Sequence, residues 1–301
     1  ARRGSANARV IACVLTGLTG FAAPFAMPES WAPLRFFAFI ACIGLFTKVL
    51  ETARETIESP EMGATLGRYL LWASILPNTT WYGDKEQKRR HQRAAIGGLM
   101  RGVGALVAVV GLLALHDAVP LQYSPWSDAF WMMWLFYFFT VACLTLLALP
   151  LQLLGIAVAP VLRVPPLARS PRDFWGRRWN LWFTRLAHIH VFTPLGGAKR
   201  PMRASAAVFL ISALSHEAMT WVSLGQIDGR MFLFFTMHGV ATMATGALGT
   251  SLGRRELMPR ALAVPLHLTW LAATAPLFFG PINDIFQLTA WPAWVWNILG
   301  I

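Results

Sequence analysis

The chain has 301 residues, 56% of them hydrophobic and only 13% charged, with a formal net charge of +12. A soluble globular domain carries about 25% charged residues, so this composition excludes an ordinary water-soluble enzyme. Placement of the basic residues also argues against a nucleic-acid binder, as the order of elements shows.

Apolar runs long enough to cross a bilayer predict helices at about 9–27, 32–50, 96–115, 128–150, 204–222, 230–249, 259–279 and 286–301. The expected fold is all-α: a polytopic transmembrane protein with about eight membrane helices, one domain over 1–301. The first run reads as a membrane helix rather than a cleaved signal. Between the second and third runs, residues 66–77 are apolar but too short to cross, which suggests a re-entrant or interfacial element. The run after Phe130 continues past Pro150 to Leu162, so a kink at Pro150 or an interfacial extension is expected. Cys13, Cys42 and Cys143 all fall in predicted spans, without disulfide or metal-ligand spacing.

With these spans, 24 of the 26 Lys and Arg lie on one side of the membrane; the other side holds only Arg35 and Arg230. By the positive-inside rule that side is cytoplasmic, as are the N-terminus and the loop 163–203. Such a face suits anionic head groups or an anionic cosubstrate.

The 163–203 loop contains RDFWGRRWN, residues 172–180, aromatic enough to bury and basic enough to stay wet. After Gly176 the spacing predicts one amphipathic helix. Arg177, Asn180, Thr184 and His188 share its polar face, and Trp175, Trp179, Trp182 and Leu186 form a neighbouring stripe.

Histidines at membrane depth are costly unless they are partnered or face a cavity. His216 lies late in its helix, with Ser212 one turn before it on the same face. A neutral imidazole, with a pKa near ~6.5, suits a general base acting on an alcohol. Glu217 points away from that face, and a structural pairing with a basic loop residue is expected. His238 is equally a helix–helix hydrogen bond or a substrate contact, and His267 carries a weaker signal. GTSLG at 249–253 matches a nucleophile elbow in letters only, because no strand precedes it.

DFWGRRWNLWF at 173–183, followed by FLISALSHE at 209–217, resembles the paired signature of the membrane-bound O-acyltransferase superfamily, most closely its wax synthase branch. FLFFTMHGV at 232–240 and PLFFGPI at 276–282 echo the same branch. The resemblance implies transfer of an acyl group from acyl-CoA to a hydroxyl inside a membrane tunnel, with His216 as catalytic base and Asn180 as its polar partner. Acyl-CoA is then a cosubstrate and no metal or other cofactor is expected. The partners are a lipid or other hydroxyl acceptor and membrane lipids, not nucleic acid. A long-chain alcohol giving a wax ester is the first acceptor; a sterol, diacylglycerol, sugar or natural product is the alternative. A lipid or small-molecule transporter is the reading from another class, although the paired repeats typical of transporters are not visible.

The residue chemistry agrees with acyl transfer. Arg177 and Arg178, with Arg172, Arg185, Lys199, Arg200 and Arg203, would meet CoA phosphates. Trp179 and Trp182 would wall the thioester entrance, or simply pack. Asn180, on the face turned toward His216, would hold the thioester carbonyl or orient the histidine. Ser212 and His238 complete the expected substrate contacts.

Overall fold

A computed structural model describes residues 6–53, 79–81, 85–118, 124–154, 156–252 and 258–299. The short apolar segment 66–77 lies outside them. Within them the chain forms helices α1 (Ala6–Ala22), α2 (Ala32–Ala53), α3 (Lys85–Ala118), α4 (Pro125–Leu153), α5 (Pro171–Arg177), α6 (Leu181–Ala187), α7 (Pro201–Leu224), α8 (Arg230–Ser251), α9 (Arg260–Phe286) and α10 (Trp291–Leu299). This is an all-α integral membrane protein. Helix α7, at 24 residues, rises about 36 Å at 1.5 Å per residue, more than a ~30 Å hydrocarbon core requires. Its Leu210 and Leu214 stand exposed, as lipid-facing leucines do.

Among the described residues six helices are long and apolar enough to cross, those within Glu29–Ala53, Gln92–His116, Pro125–Leu153, Pro201–Leu224, Arg230–Ser251 and Arg260–Phe286, and a shorter apolar helix covers Val10–Ala26. Helix α1 stops at 17 residues, where Pro24 opens a tighter turn over Ala23–Ala26. At the other end α9 runs on to Phe286, is closed by left-handed Gln287 (φ 50°), and is followed by α10 over Trp291–Leu299. Pro265, Pro276 and Pro281 sit inside α9 without ending it. Helix α4 passes through Pro150 to Leu153, and the chain then enters β2 (Ile156–Val158), which pairs antiparallel with β1 (Thr79–Trp81). Among the described residues an otherwise helical fold therefore contains one short two-stranded ladder.

The chain packs as two compact units, residues 1–104, 142–159 and 222–225, and residues 105–141, 160–221 and 226–301. In the first, Gly20 allows α1 to close on α2, where a Cβ would lie 2.9 Å from the Cys42 Cβ. Arg35, 4% exposed, would be prohibitive as a naked charge. Its guanidinium donates to the Met27 carbonyl (2.7 and 3.0 Å) and to the carbonyls of Phe25 and Val222 (both 3.4 Å).

The second unit is organised around His238, which is fully buried. Indole N–H groups only donate, so the contacts from Trp175 Nε1 (3.1 Å) and Trp270 Nε1 (3.4 Å) make His238 Nδ1 the acceptor. Nε2 then carries the proton and donates to Thr274 Oγ1 (2.9 Å), whose hydroxyl passes its own proton toward the Trp270 carbonyl (2.9 Å). One neutral imidazole thus ties α5, α8 and α9 together. Gly239, next to it, permits close packing of α8 on α7, since a Cβ there would meet the Phe209 ring at 2.8 Å. Trp175→Phe should cost about 1 kcal/mol by removing one hydrogen bond, whereas His238→Leu should cost roughly 2–4 kcal/mol by stranding two indole N–H groups. Denaturation of the purified variants in detergent measures the difference, and equal costs would contradict the assigned roles.

Candidate active site

The single amphipathic helix expected after Gly176 is two helices with a break. Ser170 caps α5 by accepting the Asp173 N–H (3.1 Å), and Pro171 starts it with φ already helical. The helix closes when the N–H groups of Arg178 (3.1 Å) and Trp179 (2.9 Å) both turn to the Phe174 carbonyl. Asn180 then takes a left-handed conformation (φ 43°), which asparagine tolerates better than most residues, and caps α6 by accepting the Phe183 N–H (3.2 Å). Thr184 binds the second helix back to the first through the Trp175 carbonyl (2.9 Å). Helical spacing continues through the break, so periodicity alone cannot reveal it. The consequence for Asn180 is that Oδ1 is committed to the cap, and Nδ2 is the half of the amide left to donate.

Asp173, buried among basic neighbours, anchors the segment. Its carboxylate accepts from Arg178 Nε (2.8 Å) and the Arg169 N–H (3.1 Å) and pairs with Arg177 Nε (3.0 Å). Arg178 also reaches the carbonyls of Arg163 and Val164 (both 3.3 Å), so it is a bracket for the preceding loop rather than a free cation. Burial alone would raise the Asp173 pKa, but the Arg178 hydrogen bond, the Arg169 N–H and the two guanidinium charges outweigh it and hold the carboxyl below its usual range.

His216 lies on α7. Its Nδ1 is 2.8 Å from the Ser212 carbonyl, which can only accept, so Nδ1 carries the proton and the lone pair of Nε2 stays open. The ring packs on Phe235 (4.0 Å between centroids) and near Phe278 (6.4 Å). Ser212 is buried and serves His216 through its backbone. The two side chains, His216 and Asn180, do not hydrogen-bond to each other. Glu217 finds backbone rather than the expected basic side chain. Its carboxylate accepts the N–H groups of Asp228 (2.7 Å), Gly229 (2.6 Å) and Phe232 (3.2 Å) and so caps α8. Arg230 forks between Asp228 and Asp284, and Gly280 leaves room for its guanidinium.

Two cavities flank α5. One, about 80 Å³, is narrow and aromatic, lined by Phe136, Phe174, Trp175, Trp179, Phe234 and Phe278 among others. Trp179 stacks on Phe174 at 5.5 Å. Phe278 belongs both to this cleft and to the surroundings of His216. The other, about 1090 Å³, opens between α5, α8 and α9 and is lined by Arg172, Arg177, Thr245, His267 and Trp270 with many small residues. His216, Asn180 and Trp182 line neither of these two cavities.

Residues 158–237 match the membrane bound O-acyl transferase family. The chain is 31% identical over 135 residues to acyl-CoA--sterol O-acyltransferase 1 of Arabidopsis thaliana, covering 42% of this chain and 39% of that protein. It is 26% identical over 137 residues to the long-chain-alcohol O-fatty-acyltransferase of Simmondsia chinensis, again covering 42% of this chain and 39% of the relative. A third relative, probable long-chain-alcohol O-fatty-acyltransferase 7 of Arabidopsis thaliana, is 31% identical over 149 residues, 46% of this chain and 44% of its own length. Over part of its length the chain is thus similar to membrane bound O-acyl transferases, among them long-chain-alcohol O-fatty-acyltransferases and a sterol O-acyltransferase. It spans well under two thirds of the length of these relatives.

Within that segment the structure distributes the sequence candidates unevenly. Trp179 walls the aromatic cleft, Arg177 rims the large cavity, Arg178 is structural, and His238 is the sealed hub. Sequence reasoning passed over Asp173 as an anchor, although arginines four and five residues later were a signal. It also undervalued the α9 face formed by His267, Trp270 and Thr274, whose spacing of three and four puts them together. Asp173→Asn should lower stability by about 2 kcal/mol at neutral pH, the scale of hydrogen bonds to a charged group. Because the folded-state pKa is depressed, this stabilisation is present above the ordinary carboxylate value near ~4 and lost as pH falls through the folded value. Unfolding measured from pH 7 to pH 3 should therefore show less acid sensitivity in the variant than in the parent.

Proposed function

We propose that this chain is an integral-membrane O-acyltransferase that moves an acyl group from acyl-CoA to a hydroxyl acceptor, with a long-chain alcohol giving a wax ester as the leading case. The observation that carries the reading is His216, whose Nδ1–H is fixed on the Ser212 carbonyl so that Nε2 can accept a proton. The names of the relatives support the chemistry, and the likeness to a sterol O-acyltransferase makes a sterol the second acceptor to consider.

In the proposed reaction Nε2 takes the acceptor's hydroxyl proton as its oxygen attacks the thioester carbonyl. The tetrahedral intermediate collapses with cleavage of the C–S bond. The departing CoA sulfur takes the proton from His216, so the base is restored and no acyl-enzyme forms. Asn180 would contribute its Nδ2 donor to the developing oxyanion, with Oδ1 held by the α6 cap so that the amide cannot flip. The aromatic cleft beside Phe278 is the right character for an acyl chain. The loop 163–203, taken as cytoplasmic, would receive CoA phosphates through Arg172, Arg185, Lys199, Arg200 and Arg203.

His216→Ala, folded and purified, should lose roughly 10²–10⁴-fold in turnover with palmitoyl-CoA and hexadecanol, the usual scale for general acid–base catalysis; an unchanged rate sinks the assignment. Asn180→Asp separates the two jobs of Asn180. It retains a capping oxygen and tolerates the left-handed backbone but removes the donor, so thermal stability should hold while turnover falls about 10²-fold or more. Wild-type turnover in that variant would reduce Asn180 to a cap.

A further inference from the structure

Helix α3 carries a charge where a membrane helix is least able to hold one. The helix is continuous over Lys85–Ala118, and its apolar run begins at Ile96. Arg101 lies five residues inside that run, about 7.5 Å past its edge at 1.5 Å per residue. Ionisable side chains at such depth nearly always face the protein interior or a water-filled cavity. Arg101 does neither. It is exposed, and so are Ala94 and Gly104, its neighbours two turns before and one turn after. The packed side of α3 is elsewhere, where Gly98 meets Gln152 and Thr145 of α4 and Gly102 meets Leu146.

The Arg101 guanidinium turns back along the helix, and its Nη1 is 3.8 Å from where a Cβ on Gly97 would sit. Gly97 is one turn earlier, at the level where the apolar run begins, so the cation reaches the head-group boundary. Arg93 and Arg89 continue the same ridge outward at spacings of four, and both are exposed. Arg90, beside them, is held by Glu86 at 2.7 Å. Among the described residues no carboxylate pairs with Arg89, Arg93 or Arg101. Gln92 Nε2 donates to the Leu153 carbonyl (3.1 Å) and fixes this end of α3 on α4. Three unbalanced guanidiniums are thus presented on a fixed helix at the membrane surface, and charge complementarity points to an anion there.

We infer that this ridge of α3 seats an anionic phospholipid of the cytoplasmic leaflet, the basic side being taken as cytoplasmic. The phosphodiester lies on Arg101 beside Gly97, and the head group meets Arg93 and Arg89. A guanidinium offers a fixed fork of donors to two phosphoryl oxygens, and the cytoplasmic leaflet supplies the anionic lipids. The acyl chains run down the exposed apolar surface of Ile96, Met100 and Val103. Three cations favour a lipid of net negative charge over a zwitterionic one, whose choline would be repelled by Arg93. The seat uses none of the residues given to acyl transfer and does not depend on that reading.

The test uses the full chain, delipidated in dodecyl maltoside so that the surfactant contributes no phosphate. Dioctanoyl phosphatidylglycerol and, separately, dioctanoyl phosphatidylcholine are titrated by calorimetry. Phosphatidylglycerol should bind saturably and about tenfold or more tightly than phosphatidylcholine. Arg101→Gln, an exposed change that keeps a long polar side chain, should weaken it about tenfold, the scale of one charge-assisted pair. Arg90→Gln removes the same charge from a cation already paired and should bind nearly as the parent does. Gly97→Leu keeps every cation, favours the helix and fills the space beside Arg101, so it should also weaken binding several-fold. Thermal unfolding of each variant checks that it is folded. Equal affinity for the two lipids, equal losses in Arg101→Gln and Arg90→Gln, or parental affinity in Gly97→Leu overturns the inference.

Discussion

A short helix, α5, is tied to its neighbours through the indole N–H that Trp175 directs at the buried imidazole of His238. Helix α5 has only seven residues, far too few to be stable alone. It is held at one end by the His238 hub and at the other by Asp173 with its arginines. The aromatic cleft on one side of α5 and the large basic-rimmed cavity on the other both depend on that short helix staying in place. The odd mixture in RDFWGRRWN then has a physical account. Asp173 and Arg178 bracket the loop, Phe174 and Trp179 stack, Trp175 reaches the hub, and Asn180 makes the break. A stretch of this composition is suited neither to lipid nor to water, because nearly every member is spoken for by a specific neighbour.

The three intramembrane histidines show how environment, rather than residue type, assigns roles. His238 has partners on both nitrogens and is closed on all sides, which suits a connector. His216 has one nitrogen fixed by its own helix and the other open, which suits proton transfer. His267 has neither nitrogen satisfied and borders the large cavity. Each state follows from counting donors and acceptors in a medium where an unmet hydrogen bond is expensive.

The membrane character, most of the spans and the two signature blocks were legible in the sequence because hydropathy and local motifs are short-range properties. Helix ends were less so. The α1 stop at Ala22, before the turn that holds Pro24, and the α9 extension to Phe286 depend on local backbone turns inside largely apolar runs. The break at Asn180 was hidden because the helical spacing of Arg177, Asn180 and Thr184 persists across it. The partners of His238 and Glu217 were illegible for a different reason. Trp175 is 63 residues from His238, and the groups on Glu217 are backbone N–H groups, which no side-chain pattern advertises. Asn180 and His216 were expected to face each other from helical phase, yet their recorded bonds go to Phe183 and Ser212. Phase fixes direction around one helix and says little about the approach of another.

The central claim is direct transfer from thioester to hydroxyl at His216, without a covalent intermediate. It is tested most directly with the purified parent protein and acyl-labelled palmitoyl-CoA, with and without hexadecanol or a sterol. The account requires labelled ester that appears only when a hydroxyl acceptor is supplied, and unlabelled protein when it is withheld. Label accumulating on the protein without acceptor, or no ester with any alcohol offered, would contradict it.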